Sequence, residues 1–290
     1  MSEYVIFTEN TSDLPDSYIA KHNIKLIPLY YSFTDDTVYG DEIVLDTKEF
    51  YDKMRAGNMP KTMASNVDKV TQAMREVLSE GKDILYLAFS SGLSSTYSNA
   101  VLAADMVRED FPDRTIIVID SLSASLGQGL FVDAAVRKQA DGLTIQENAD
   151  WLEAMKLHVC HVFTVDDLEY LKNGGRISKT TAFLGTLINV KPILFVDNEG
   201  HLIPRTKVRG RKKALQSLVD RMAETIGTYK NDYVFISHAD CIEDAKALGA
   251  MITERFGIKD IMYSGICPTI GSHAGPGTLA LFFFGDRRQD

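Results

Sequence analysis

The chain has 290 residues, 45% of them apolar and 24% charged, and 31 basic against 40 acidic side chains leave a net charge of −9. That length suffices for about two domains with real cores, and the composition excludes a disordered or fibrous polypeptide. The acidic balance argues against a general nucleic-acid binder, which needs clustered Lys and Arg to neutralise phosphates.

The three cysteines, Cys160, Cys241 and Cys267, are too few and too odd in number for a disulfide framework and fit a reducing compartment. The start from Met1 to Phe7 has no basic segment ahead of its apolar run, so no signal peptide is expected. The late apolar stretch Leu279–Phe284 is far short of the roughly 20 residues that cross a bilayer. A cytoplasmic protein without a membrane span is the expectation.

In chain order, Tyr4–Thr8 and Lys25–Phe33 are apolar runs. Asp46–Ala56 has helical spacing with Phe50, Tyr51 and Met54 on one face, and Val67–Ser79 is a second helix. Asp83–Ser90 is a buried strand, Tyr97–Phe111 a helix, and Arg114–Asp120 another buried strand. Leu126–Ala140 and Thr144–Leu157 are helices separated by the Asp141-Gly142 break. Continuously apolar strands alternating with helices predict a mainly parallel, Rossmann- or flavodoxin-like sheet in the first half.

The second half begins with a strand at Cys160–Val165 and a short helix at Asp166–Leu171. Lys191–Val196 and His201–Val208, joined by Asp197-Asn198-Glu199-Gly200, predict a β-hairpin and hence antiparallel neighbours. Arg211–Tyr229 is a helix, and Tyr233–His238, Ile242–Phe256 and Asp260–Ile266 are strand, helix and strand. Thr278–Phe284 is a strand or a buried helix; so short a run does not decide. The expected fold class is therefore α/β with two α/β domains, residues 1–158 around the parallel sheet and 159–290 around a mixed sheet with helices.

Three small-residue loops are the candidates to hold chemistry. Lys61–Asn66 precedes a helix. Ser90–Thr96 lies between a strand and a helix start, where open α/β sheets bind ligands and free N–H groups favour an anion; the competing reading is simple helix capping by Ser and Thr. Gly271–Thr278 sets His273 among glycines, where it is either a hydrogen-bonding or proton-carrying group or an ordinary surface histidine. The Gly275–Ala280 match to a dinucleotide fingerprint fails because only ten residues follow it. Gly174–Thr180 fails as a phosphate loop because Lys179 stands where its second glycine belongs, and no nucleophile elbow occurs. His158, Cys160 and His161 alternate across a strand, so a metal site there is not expected. Arg205, Lys207, Arg209, Arg211, Lys212 and Lys213 form a basic cluster, either a solvated helix start or a patch for an acidic partner.

Taken together, these segments resemble the DegV family, whose characterised members are the FakB fatty-acid-binding proteins. The resemblance is carried by Phe7–Pro15, the Thr62 loop, Ser90–Tyr97, Ile119–Ser121, Asp167–Ser178, Lys191–Leu194, Lys207–Arg209 and Ile270–Thr278. It implies two α/β domains with one acyl chain between them. It also implies a long-chain fatty acid such as palmitate or oleate as ligand, with no cofactor, no metal and no catalytic residue of the chain's own. The carboxyl group would be presented to a separate ATP-dependent kinase subunit resembling FakA, giving an acyl phosphate for phospholipid synthesis. By the same resemblance Thr62, Ser94 and His273 lie at the carboxylate, with Ser95 beside them, and Arg176 and Arg209 serve kinase docking. The chain departs from the family pattern at Ala64 and Asn66, which interrupt a Ser-Gln-Pro-like sequence, and at Ser95, which replaces a glycine.

Burying a tail of about 16 carbons is worth on the order of 10 kcal/mol before the costs of binding. The tail therefore dominates affinity and the polar loop sets orientation. Phe282, Phe283, Phe284, Leu184, Leu187 and Ile188 are the residues from which a tunnel wall or plain core would be built. A monomer is expected. Two alternatives stay open from the residues alone. One is an acyl-ester hydrolase with Ser94 or Ser95 as nucleophile, His273 as base and Asp120 orienting it. The other is a phosphotransfer or sugar-kinase subunit with His273 as the covalent acceptor.

Overall fold

The computed structural model describes residues 3–34, 37–177 and 189–288. The chain runs β1 (Tyr4–Glu9), α1 (Asp16–Lys21), β2 (Lys25–Ile27), β3 (Tyr30–Ser32), β4 (Val38–Tyr39), α2 (Thr47–Arg55), β5 (Lys61–Met63), α3 (Val67–Ser79), β6 (Asp83–Ala88), α4 (Thr96–Arg108) and β7 (Ile116–Asp120). Two helices follow, α5 (Leu126–Ala140) and α6 (Ile145–Met155), then β8 (Val159–Thr164), α7 (Glu169–Asn173), β9 (Val190–Val196) and β10 (Leu202–Arg209). The last elements are α8 (Arg211–Thr225), β11 (Tyr233–His238), α9 (Ile242–Phe256), β12 (Asp260–Gly265), α10 (Pro268–Ala274) and β13 (Leu279–Phe284).

The fold is α/β. A four-stranded parallel sheet has the order β2-β1-β6-β7, and a six-stranded mixed sheet the order β10-β9-β8-β13-β11-β12. In the mixed sheet only β11 and β12 are parallel among the described pairs; the β9–β10 hairpin and β13 make antiparallel neighbours. A third, three-stranded antiparallel sheet, β4-β3-β5, was not anticipated. Its strands are two or three residues long, too short for alternation to register. The run Lys25–Phe33 is accordingly not one element: Pro28, which lacks a donor, separates β2 of the parallel sheet from β3 of the small one. The last run, Thr278–Phe284, forms strand β13 from Leu279.

Helix α5 lies between the two large sheets. Every residue from Leu126 to Val136 is buried, and one apolar cluster joins Ile6, Leu85 and Leu87 of the parallel sheet to Phe163, Phe235 and Phe282 of the mixed sheet through Leu130 and Phe131 of the helix. Such a position requires a mostly apolar helix, and the two polar residues of this buried stretch, Gln128 and Asp133, are hydrogen-bonded to Glu9 and Tyr18. The other faces of the sheets are covered by α3 and α4 on one side and by α8 and α9 on the other. Alternation along β13 sends Phe282 toward α5 and Phe283 into the cluster under α8 and α9. Phe283 is thus core, and Phe284 packs at the margin of the first cluster. Leu184, Leu187 and Ile188 lie outside the described residues.

Candidate functional site

The strand order of the parallel sheet reverses between β1 and β6, which opens a crevice beyond their carboxyl ends. Strand β6 ends at Ala88, and the Ser90–Ser95 loop leads from it into α4. Gly92 is needed here because a Cβ would stand 2.8 Å from the Glu199 carbonyl oxygen. The same loop is tied to the hairpin turn by Ser90 Oγ, which donates to the Gly200 carbonyl at 2.9 Å.

Below this loop lies a cavity of about 290 Å³, at the small end of the range for ligand sites. Its polar end collects Thr62, Ser94, Ser95, Arg176 and His273; its apolar wall includes Phe163, Val196, Leu202, Ala280 and Phe282. Met63 and Ser95 are exposed, whereas Phe163, Ala280 and Phe282 are buried. The polar end is therefore the open one and the apolar end is closed. All four residues expected at a carboxylate, Thr62, Ser94, Ser95 and His273, line this one cavity.

Two of them sit on elements the sequence did not predict. Thr62 is on edge strand β5, not in a loop. His273 is in the last turn of helix α10, which begins with Pro268 and ends at Gly275 with φ 81°; proline at a first turn and glycine past an end are the ordinary limits of a helix. Asn66, one of the departures from the family pattern, caps α3 by accepting from the Lys69 N–H at 3.1 Å. The capping reading of the second loop holds in part: Ser94 Oγ accepts from the Thr96 N–H at 3.2 Å and lies 2.8 Å from Thr96 Oγ1.

His273 Nε2 lies 2.8 Å from Thr62 Oγ1. Its Nδ1 is buried without a hydrogen-bond partner among the described residues and is packed against Gly174, where a Cβ would come within 2.1 Å. Burial and the nearby Arg176 charge push the imidazole down to about 4, so the ring is neutral at pH 7. Arg176 donates through Nε to the Leu93 carbonyl at 3.1 Å and through Nη1 to the Gly174 carbonyl. It thereby joins the α4 loop to the end of α7 and stands in the cavity wall. Arg209, by contrast, is exposed at the end of β10.

The geometry does not assemble the hydrolase. The partner of His273 is Thr62, and Asp120 Oδ1 instead accepts from the Ser91 and Leu122 N–H groups at 3.1 and 3.0 Å. Neither nitrogen of His273 is offered to a phosphoryl donor, since one is bonded and the other buried. Among the described residues no group of three His, Cys, Asp or Glu could hold a metal ion. His158 Nδ1 bonds the Gly285 carbonyl and Cys160 Sγ donates to the Arg287 carbonyl, while His161 faces the cavity.

The sequence did not single out His161 or Ser125 as cavity residues. Alternation assigns His161 to one face of β8, but not to a face that borders empty space. Ser125 has a backbone of φ 56°, ψ −147°, a conformation almost confined to glycine. Its hydroxyl donates to Asp13, whose other oxygen accepts from the Cys267 N–H at 2.9 Å. Burial raises Asp13 to about 7. Glu9, at the end of β1, is likewise raised to about 7 by burial.

Among the described residues no helix is long and apolar enough to cross a membrane. A DegV domain-containing protein of Clostridium perfringens is 43% identical over 291 aligned residues, covering all of both chains. A Thermotoga maritima structure described as revealing fatty acid binding function superposes with TM-score 0.86 at 31% identity, covering 98% of this chain and 100% of that one. A stearic acid-binding protein from Eubacterium ventriosum superposes with TM-score 0.87 at 27% identity, covering 96% and 98%. The family model described as "Uncharacterised protein, DegV family" matches residues 3–286, and the chain accordingly belongs to the DegV family.

Proposed function

We propose that this protein binds one long-chain fatty acid in the cavity and presents its carboxyl group to a separate ATP-dependent kinase. The observation that carries this reading is the meeting of Thr62, Ser94 and His273, from three distant segments, at the open end of an apolar cavity. The tail supplies affinity through burial of its methylenes. The head group is held by hydroxyl donors beside the start of α4, where the helix dipole favours an anion.

The donors follow from proton counting. For Thr62 to donate its O–H to a carboxylate, it must accept from His273, so the ring carries its proton on Nε2. That leaves Nδ1 as a bare lone pair, in keeping with its burial against Gly174. If Thr96 Oγ1 donates to Ser94 Oγ, the Ser94 O–H is likewise free for the ligand. In the kinase step a carboxylate oxygen attacks the γ-phosphorus of ATP. A mixed acyl–phosphate anhydride forms as the bond to the β–γ bridging oxygen breaks and ADP leaves. This chain supplies orientation, and Arg209 on the exposed end of β10 belongs to the docking surface.

Ser94→Ala should weaken fatty-acid retention about 10- to 100-fold, the worth of one hydrogen bond to a charged group, with an unchanged circular dichroism spectrum. Mixing the loaded protein with a bacterial fatty acid kinase ATP-binding subunit and ATP should yield a hydroxylamine-trappable acyl phosphate. A fully loaded protein that gives no trapped product and forms no complex with such subunits would defeat the presentation role.

A further inference from the structure

The mixed sheet forms one wall of the cavity, and its register divides that wall into rows. At the start of β13 and along it, Thr278, Ala280 and Phe282 line the cavity. Thr278 marks the His273 end, because its hydroxyl donates to the Ala274 carbonyl at 2.8 Å. The row farthest from it runs across four strands. Phe282 pairs with His161 of β8, and Val196 of β9 pairs with Leu202 of β10. The antiparallel register that sets Val162 opposite Phe195 brings His161 beside Val196. All four of these residues line the cavity. One pleat further on, Val159 pairs with Phe284. Neither lines the cavity, and both pack into the apolar cluster around α5. The row of Leu202, Val196, His161 and Phe282 is therefore the floor.

This floor is built to stay in place. His161 is 3% exposed. Its Nε2 accepts from the Ala124 N–H at 3.3 Å, and its Nδ1 carries the proton toward the Val159 carbonyl at 3.1 Å. Both nitrogens are thus spent inside the protein, and the pinned ring acts on a ligand through shape alone. The ring fits only because position 127 is glycine: a Cβ there would fall 2.1 Å from Nε2. The Phe282 ring meets the imidazole edge-on, with centroids 5.3 Å apart and planes at 85°. A close-packed interior of this kind yields little to an added methylene.

We propose, resting on the fatty-acid reading above, that this row is the stop for the methyl end of the bound acyl chain and limits the ligand to tails about as long as that of palmitate. Four residues separate Thr278 from Phe282, roughly 14 Å at about 3.4 Å per residue. With carbon–carbon bonds of about 1.5 Å, an extended chain advances about 1.25 Å per carbon, so that depth takes about eleven carbons. The carbons nearest the carboxyl group, level with Thr62 and Ser94, make up the rest.

The test offers the delipidated protein laurate, myristate, palmitate, arachidate and behenate together, at equal concentrations in cyclodextrin, and quantifies the bound acids after extraction. Bound palmitate should exceed arachidate at least about tenfold, because the extra carbons meet packed core. Phe282→Ala should raise the arachidate-to-palmitate ratio about tenfold by opening the space of the ring. Val196→Phe should lower the palmitate-to-laurate ratio about tenfold by raising the floor. Wild-type protein that takes up palmitate and behenate equally overturns the stop, whether or not the variants fold. A folded Phe282→Ala protein with an unshifted ratio also overturns it, because the chain then ends elsewhere and Phe282 is only structural. Uptake of none of the acids overturns the fatty-acid reading itself, a distinct result.

Discussion

Ala280→Phe should abolish fatty-acid retention while leaving a folded protein. Ala280 is buried at the middle of β13, between Phe163 of β8 and Ser237 of β11, and its side chain faces the cavity. A benzyl group there fills space that is otherwise ligand volume, so overpacking is limited and should cost at most about 1–3 kcal/mol. The ligand loses much more. Every methylene beyond Ala280 is shut out, at about 0.8 kcal/mol each, so losing five or more weakens binding by at least two to three orders of magnitude. The measurement pairs a displacement assay with thermal unfolding. Retained oleate binding in a folded Ala280→Phe protein would mean that the tail runs elsewhere.

Glu9→Gln should stabilise the protein at pH 8 and have little effect at pH 5. Glu9 is wholly buried; its Oε2 accepts from the Phe89 N–H at 3.0 Å and from Gln128, and Oε1 has no hydrogen-bond partner among the described residues. Burial raises the carboxyl from 4.5 to about 7. Between those values the folded chain binds a proton that the unfolded chain has released, so stability falls as pH rises through the folded value. Above pH 7 the whole gap is felt, about 3 kcal/mol at about 1.4 kcal/mol per decade. A glutamine keeps an acceptor for Phe89 and carries no charge. Asp13 has the same sign. His273 has the opposite one: its proton affinity is lowered in the fold, so its contribution is present above about pH 6.5 and fades as pH falls through about 4. The difference between wild type and variant isolates Glu9. Urea unfolding at pH 5 and pH 8 checks it, and an equal effect at both values would contradict a buried titrating carboxyl.

Much of this architecture was legible because burial writes itself into long elements. Val67–Ser79, Leu126–Ala140, Tyr233–His238 and Ile242–Phe256 have the bounds their patterns predict. The hairpin was announced by its Asp197–Gly200 turn. What escaped has a common cause: it depends on partners distant in sequence. Strand β5 is three residues long and exists because β3 lies beside it. The bond between Thr62 and His273 spans 211 positions, and only the family resemblance brought those two residues together beforehand. Helix α10 was readable from Pro268 and Gly275, yet its glycines and serine gave it the look of a loop. The docking role of Arg176 is implied by the family resemblance alone, and no local pattern announces that its guanidinium bonds the Leu93 carbonyl. Strand alternation argues against His161 as a metal ligand, but it gives no sign that the face carrying His161 borders a cavity.

The central claim is that one fatty acid occupies this cavity, and native mass spectrometry of the purified protein, repeated after delipidation and addition of oleate or palmitate, tests it most directly. The account predicts a species at the 32.3 kDa chain mass plus one long-chain fatty acid, which is lost on organic extraction and restored by added ligand at one equivalent. A delipidated, folded protein that takes up neither acid would contradict it.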